Sequence, residues 1–179
     1  MKQYTIGVFR NRENAETAIH RLHNDLSVGT DEISFVYRNT DGEVQEVNPE
    51  DVRNKTVGEG AIDGAKVGGG IGAVLGLATV VGIVPVIGPV FAAGPLVAAL
   101  GIGTGVLGTT AAGTLTGAAA GGLIGALVSW GVSEEKAKDY QDQVEAGSVL
   151  IAVHADDMKD VATVLTEEGA TDVDIYRLA

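Results

Sequence analysis

One stretch constrains the fold of this chain more than any other: Val67 to Ser133 contains no Asp, Glu, Lys or Arg. Glycine recurs at every fourth residue around its start and again towards its end. Residues four apart lie on one face of a helix, so each run predicts a helix with a smooth, glycine-lined groove. A second helix can approach such a groove with the two backbones nearly in contact. We predict helix packing through Gly60, Gly64, Gly68, Gly72, Gly76, Gly113, Gly117, Gly121 and Gly125.

Proline and glycine interrupt the middle of this stretch. Proline removes a backbone donor and clashes with the preceding helical turn, so a regular helix does not continue through it. The sequence therefore predicts a helix from about Gly58 to Ile83, a bend, and helical structure from about Leu96 to Trp130. Residues 58–132 are interpreted as a glycine-zipper helical hairpin. The interrupting residues are Pro85, Gly88, Pro89, Gly94 and Pro95.

The first 38 residues have the pattern of a β-α-β unit. A β-rich run from Tyr4 to Phe9 is followed by apolar residues at helical spacing, with Asn11 as the expected N-cap and Gly29 as the expected stop. Ile33, Phe35 and Tyr37 then alternate along a predicted strand. Residues 39–57 are polar and contain turn signals, so we interpret them as a linker.

Residues 133–179 predict one further helix and a second β-α-β unit. Ser133 is the expected N-cap of that helix, and Gly147 is its expected stop. The pattern then predicts, in order, a strand over Val149–Val153, a helix capped by Asp156 and stopped by Gly169, and a strand over Asp172–Tyr176.

The two units resemble internal copies, because each final strand closes with Tyr-Arg, at Tyr37-Arg38 and at Tyr176-Arg177. Two such units side by side form a four-stranded antiparallel sheet with helices on one face. A two-stranded unit is marginally stable alone, so we expect the halves to fold together. The predicted fold is therefore an α+β, ferredoxin-like sandwich, split by the inserted glycine-zipper hairpin.

Composition excludes several classes of function. The formal charge of −12 and the pI near 4.5 argue against nucleic acid as a partner, because phosphate binding needs a basic surface. The chain has no cysteine, which excludes disulfides, thiolate zinc sites and cysteine catalysis. The first ten residues lack the pattern of a signal peptide, so a cytoplasmic location is expected.

Three patterns resemble ligand sites, and each has a simpler explanation. Gly103, Gly105 and Gly108 match G-x-G-x-x-G, but neither a preceding strand nor a following acidic residue is present, so zipper packing is favoured over a dinucleotide. His20 and His23 lie three apart without a third metal ligand. We therefore predict no cofactor, metal or catalytic residue, and no enzyme activity. The remaining candidates, interpreted as capping and solvated groups, are His154 with Asp156 and Asp157, and the acids Glu43, Glu46, Glu50 and Asp51.

Several runs resemble a bacterial family of glycine-zipper stress proteins, called general stress or low-temperature-induced proteins. These runs are Gly82–Leu96, Gly121–Leu127 and Gly131–Tyr140. Ile6–Phe9 and Asp31–Ser34 resemble the heat-induced stress domain with which such proteins begin. The resemblance covers essentially the whole chain. It implies stress-linked expression and membrane association, and it supplies no activity or catalytic residues.

We therefore expect a non-enzymatic general stress-response protein whose hairpin mediates membrane association, self-assembly, or both. The charge-free stretch is long enough for two spans of about 20 residues. Its second part is mostly Gly, Ala and Thr, which contribute little to membrane insertion. The alternative is a soluble structural protein whose zipper helices build a homo-oligomeric shell or rod. A weaker alternative makes the ferredoxin-like part a sensor of a small ligand.

The expected partners follow from these alternatives. They are further copies of this chain and, if the hairpin inserts, membrane lipid. If the two halves share one sheet, both termini lie on the same side of any membrane. Lysines flank the charge-free stretch, which favours cytoplasmic termini and association with the inner membrane. These lysines are Lys55, Lys66, Lys136 and Lys138.

Overall fold

The fold is an antiparallel sheet with helices on both faces, seen in a computed structural model. The structure describes residues 3–29, 31–38, 80–84, 88–100, 118–155 and 158–177. The elements in chain order are β1 (Gln3–Phe9), α1 (Arg12–Asn24), β2 (Ile33–Arg38), β3 (Val80–Val84), β4 (Gly88–Ala93), α2 (Pro95–Leu100), α3 (Ala118–Ser129), α4 (Glu134–Glu145), β5 (Val149–Val153), α5 (Met158–Glu167) and β6 (Thr171–Arg177).

The six strands lie in the order β3-β4-β2-β5-β1-β6, and every neighbouring pair is antiparallel. The strands of the two β-α-β units occupy consecutive positions, with β5 and β1 in the centre. Phe9 is opposite Val149, and Ile33 is opposite Val153, so each unit pairs with the other. The prediction of a mixed α+β protein with an antiparallel sheet is confirmed.

Both faces of the central strands are buried. In β5, Val149, Ile151 and Val153 pack under α1 and α5, while Leu150 and Ala152 pack under α2, α3 and α4. We call these the α1–α5 face and the α2–α4 face. The helices of the two β-α-β units, α1 and α5, share one face, but the prediction included no helices on the other face, where α2, α3 and α4 lie. A strand covered on both sides has a continuous apolar sequence rather than an alternating one, and Val-Leu-Ile-Ala-Val is such a run.

The middle of the charge-free stretch forms a β-hairpin. Val80–Val84 is β3 and Gly88–Ala93 is β4, so the prediction of a helix up to Ile83 followed by a bend is wrong in this region. β4 pairs with β2, with Phe35 opposite Ala93. β-branched residues on either side of Pro85 favour strands over a helix, because they pack well on a pleated surface. The hairpin thus extends the sheet beyond β2.

Gly94 joins β4 to α2 at a point where the backbone passes very close to β2. Its φ is +73°, and a Cβ added there would overlap the carbonyl oxygen of Ile33 and lie 2.8 Å from the Cα of Ser34. The buried Ser34 hydroxyl accepts a hydrogen bond from the Leu96 N–H at 3.2 Å, which satisfies one donor of the first helical turn. Only glycine fits this junction.

A second glycine interrupts α3. Gly122 has φ 53° and ψ −128°, which is not helical, so the helix bends there. The predicted stacking of Gly121 over Gly125 requires a continuous helix, and this requirement is not met between the two residues. Gly125 itself is partly buried. The packing role of the other predicted glycines lies outside the described residues, from Gly60 to Gly76 and at Gly113 and Gly117.

Most of the predicted helix ends agree with the structure. The side chains of Asn11 and Ser133 accept hydrogen bonds from the backbone N–H of Glu13 and Lys136, so both N-caps are confirmed. Gly147 and Gly169, at φ +104° and +89°, end α4 and α5 as predicted. The predicted stop at Gly29 is wrong, because α1 ends at Asn24 with Asp25 as its C-cap.

Besides the zipper glycines, several sequence predictions lie outside the described residues: the linker over 39–57 with its acids Glu43, Glu46, Glu50 and Asp51, the candidates Asp156 and Asp157, and the G-x-G-x-x-G run from Gly103 to Gly108. In the part of the chain that is described, none of the helices combines the length and the apolar character that a membrane crossing requires.

Candidate functional site

A polar cluster joins α4 to the edge strand β6 on the α2–α4 face. At its centre is the hydroxyl of Tyr140, a fully buried residue. The hydroxyl donates to the Asp174 carboxylate at 3.1 Å or to the Asp172 carbonyl oxygen at 3.3 Å, and it lies 3.2 Å from the Tyr176 hydroxyl. Tyr176 also donates to Asp174, at 3.4 Å. Both phenol oxygens therefore lie within hydrogen-bonding distance of the Asp174 carboxylate.

The outer half of the cluster is ionic. The Lys136 Nζ lies 3.2 Å from one oxygen of Asp172 and 3.7 Å from Asp174. Gln143 donates to the other Asp172 oxygen at 2.9 Å. Asp172 has φ +53°, a conformation that aspartate tolerates better than most residues, and its two side-chain partners lie on α4.

Simple periodicity brings these residues together. Lys136, Tyr140 and Gln143 are four and three residues apart, so they share one face of α4. Asp174 and Tyr176 are two apart in β6, so they share one face of the strand. The sequence prediction missed this cluster, although both spacings were visible. Neither spacing alone shows that α4 crosses β6.

The electrostatics stabilise fixed protonation states rather than a reactive one. Burial is the main cause that raises the pKa of Tyr140, and the neighbouring Tyr176 and Asp174 raise it further. Burial also raises the pKa of Tyr176. The hydrogen bond from Gln143, followed by that from Lys136, lowers the pKa of Asp172. The phenols of Tyr140 and Tyr176 therefore stay neutral donors, and the Asp172 carboxylate stays charged. Such fixed protonation states suit a contact that holds α4 on β6.

Next to this cluster, an aromatic contact fixes the end of α3 on the sheet. The rings of Tyr4 and Trp130 stack with centroids 4.6 Å apart and planes at 4°. His154 lies at 5.2 Å from the Tyr4 ring. Trp130 is only 8% exposed and belongs to the core of the α2–α4 face. Val132 is buried in the same core. The segment that enters α4 is therefore held in place by Trp130 before Gly131 and by Val132 after it.

On the α1–α5 face, Arg21 links the two helices. Its guanidinium lies 2.9 Å from Glu167 and 2.6 Å from Glu168, both near the end of α5, and 3.4 Å from Asp25 on its own helix. All four side chains are at least one-fifth exposed. This arrangement is an ion-pair network between the helices at the surface.

The histidines named in the sequence analysis have different surroundings in the structure. His20 is exposed, and Nδ1 of His23 lies 3.0 Å from the carbonyl oxygen of Val28. The backbone N–H of His154 donates to the backbone carbonyl oxygen of Glu32 at 2.8 Å. Within the described ranges, no three His, Cys, Asp or Glu side chains are grouped as metal ligands.

The structure differs most from the sequence prediction in the position of the charge-free stretch, because its described residues are part of the domain core. Those from Ala92 to Val132 supply eight of the sixteen buried residues of the core on the α2–α4 face. The signal that could have revealed this is the apolar spacing of Leu123, Leu127 and Trp130, which makes one side of α3 a core surface. The stretch supplies Ala92, Leu96, Leu100, Leu123, Ala126, Leu127, Trp130 and Val132 to this core.

The fold defines the class of the protein as α+β, with an antiparallel sheet between two helical layers. Comparison with models of protein families, with curated proteins and with solved structures found no match. The resemblance to glycine-zipper stress proteins therefore stays a prediction, and the functional proposal depends on the chain's own residues.

Proposed function

We propose that this chain is a non-enzymatic structural protein of the bacterial stress response that assembles with copies of itself. The α+β domain acts as a rigid base, and the glycine-rich segments that it holds supply contacts between copies. We also propose that the four strands in the order β2-β5-β1-β6, each unit with its helix on the α1–α5 face, form a ferredoxin-like core.

One observation carries this proposal: both ends of the glycine-rich segment 101–117 are fixed in the core. Leu100 ends α2 in the α2–α4 core, and Leu123 re-enters the same core in α3. α2 and α3 also pack against each other. Both flanks of this segment therefore belong to one folded base, and we propose that the segment, which includes Gly113 and Gly117, supplies a contact between copies.

The lengths of the charge-free ranges that remain outside the α+β fold favour self-assembly over insertion into a membrane. A spanning helix needs about 20 consecutive apolar residues. The hairpin and helices α2 and α3 use residues 80–84, 88–100 and 118–129 in the α+β fold. The two long charge-free ranges that remain, 67–79 and 101–117, are shorter than the usual span of about 20 residues. β1 and β6 are neighbours in the sheet, which supports our proposal that both termini lie on the same, cytoplasmic side of any membrane.

The test measures where the full-length chain is found and how large it is. Cells that express it are fractionated, and the detergent-free supernatant is analysed by size-exclusion chromatography with light scattering. We expect a stable homo-oligomer, and we expect Gly68→Leu or Gly72→Leu to lower its mass at least two-fold, because the side chain forces apart any helices packed there. Gly58→Leu, outside the four-residue repeat, is the matched control.

Two results would contradict the proposal. The first is a monomeric wild-type chain in detergent-free buffer. The second is equal tolerance of leucine at all three positions. Release from the membrane fraction only by detergent would support membrane association in place of self-assembly.

A further inference from the structure

The two edges of the sheet differ in their protection against pairing. β6 forms one edge and carries Asp172, Asp174 and Arg177, and its pairing with β1 is irregular between Ile6 and Val8. Charges and bulges of this kind prevent a sheet edge from pairing with another chain. The opposite edge is β3, whose sequence is Val-Val-Gly-Ile-Val. It has neither a charge nor a proline.

The register of the hairpin shows which backbone groups of β3 face outward. Ile83 is opposite Pro89, which has no N–H, so this pair does not exchange two hydrogen bonds. Antiparallel pairs alternate between hydrogen-bonded and non-hydrogen-bonded. Gly82 and Val90 are then the bonded pair, and the N–H and C=O groups of Val81 and Ile83 point away from β4. Among the described residues, β4 is the only strand that pairs with β3.

The sequence of β3 is self-complementary about Gly82. When two copies run antiparallel with Gly82 opposite Gly82, Val81 of each copy is opposite Ile83 of the second copy. These are the residues whose backbone groups face outward, so the two strands exchange four hydrogen bonds. Val80 is then opposite Val84, and β-branched residues occupy every position except the centre, as a stable strand pair favours.

Charge also favours this edge as the place where copies meet. At a formal charge of −12, two copies repel each other. The acids of β6 lie five strand spacings from β3, about 24 Å at the usual separation of about 4.8 Å. This exceeds the screening length of about 8 Å at physiological ionic strength. β3 and the residues next to it in the chain lie within Val67 to Ser133, which contains no charged side chain.

We propose that two copies of this chain associate edge to edge through β3, with a two-fold axis at Gly82, and form one continuous antiparallel sheet. This inference rests on the proposed function because it requires self-association. The contact that it assigns is made by strand β3 rather than by the glycine repeats.

The first test compares the same substitution at the two edges of the full-length protein. In Ile83→Lys, a charge is placed at the pairing edge, and we expect the mass from light scattering to fall to half of the wild-type value. In Ile175→Lys, the charge is placed at a residue of β6 that is already 42% exposed, and we expect an unchanged mass. Circular dichroism is recorded for both variants to establish that each is folded.

A second variant keeps the proposal testable if Ile83→Lys does not fold. The chain has no cysteine, so Gly82→Cys introduces a single thiol. Directly opposite residues in a non-hydrogen-bonded pair have Cα atoms about 4.5 Å apart, within the range of about 4.4–6.8 Å that a disulfide spans. Mild oxidation is therefore expected to produce a covalent dimer of Gly82→Cys and to leave Ile175→Cys mostly monomeric on a non-reducing gel.

The outcomes separate this contact from the proposed function. If Gly82→Cys cross-links no more than Ile175→Cys, and any folded Ile83→Lys keeps the wild-type mass, the β3 contact is wrong. A loss of mass in Gly68→Leu under the same conditions would then still support assembly through the glycines. If Ile83→Lys halves the mass and Gly68→Leu does not change it, the edge contact stands and the zipper proposal fails. A monomeric wild-type chain overturns both.

Discussion

The substitution Gly94→Ala tests whether the charge-free stretch is built into the domain. Gly94 has φ +73°, and the left-handed conformation costs a residue with a Cβ about 1–2 kcal/mol. The added Cβ would also overlap the backbone oxygen of Ile33, so β4 and α2 must move away from β2.

That movement breaks further contacts. It separates the Leu96 N–H from the buried Ser34 hydroxyl, and a buried polar group left without a partner costs about 1–3 kcal/mol. It also begins to expose Leu96, whose full burial contributes about 1.5–3 kcal/mol. We therefore expect Gly94→Ala to lower the free energy of unfolding by about 4 kcal/mol or more.

Gly147→Ala is the matched control. Gly147 also has a positive φ, +104°, but a Cβ there meets nothing within 4 Å. Gly147→Ala should therefore lower the free energy of unfolding only by the cost of the left-handed conformation, about 1–2 kcal/mol. Urea denaturation of both variants is followed by the fluorescence of Trp130, the single tryptophan, which is in the affected core. If Gly94→Ala is no more destabilising than Gly147→Ala, the described contact between Gly94 and β2 is wrong.

Three further substitutions test other parts of the structure. Leu123→Ala, in the α2–α4 core, should lower the free energy of unfolding by about 2–5 kcal/mol in denaturant titrations, and a loss below about 1 kcal/mol would contradict its full burial. The pKa of Asp172 is lowered in the folded state. Its carboxylate therefore stabilises the protein fully above the unfolded carboxyl pKa of about 3.9, and this stabilisation is lost as the pH falls through the lower folded-state pKa. Asp172→Asn should therefore reduce stability at pH 7 by less than about 1 kcal/mol and flatten its pH dependence below pH about 4, since the carboxylate is partly exposed. Arg21→Gln should lower the melting temperature at low salt and much less at about 1 M salt, whereas a salt-independent loss would indicate packing rather than ion pairs.

The two ends of the chain were predictable because their signals are local. The N-caps at Asn11 and Ser133 and the stops at Gly147 and Gly169 each depend on a few neighbouring residues. Strand alternation in β2 was also read correctly, with Ile33, Phe35 and Tyr37 on the α1–α5 face. Local patterns of this kind determine the elements without reference to the rest of the fold.

The helical prediction is wrong at β3 and β4 because two physical causes give the same composition. An absence of charge is expected for a membrane-associated or zipper helix, but equally for a segment buried in a core. Glycine spacing favoured the helix, although Val80–Val84 has the β-branched composition of a strand. The deciding contacts, such as Gly94 against β2, join residues far apart in sequence.

The polar cluster at Tyr140 could not be predicted for the same reason. Its partners Asp174 and Tyr176 lie 34 and 36 residues later in the chain. Sequence spacing predicts that Asp174 and Tyr176 share a side of β6. It does not predict which helix covers that side, because this depends on how α2, α3 and α4 fill the second face of the sheet.

The central claim is that helices α2 and α3, within the charge-free stretch, belong to the core of the α+β domain, and amide hydrogen exchange tests it most directly. The full-length protein is exchanged in deuterated buffer without detergent or lipid, and peptides covering Pro95–Leu100 and Ala118–Ser129 are compared with Val149–Val153 in the central strand β5. Elements that open only with the whole domain share its protection. We predict that amides of residues 96–100 and 123–129 are protected to a similar degree as those of β5. Exchange of these helices at the rate of an unfolded chain, while β5 remains protected, would contradict the account.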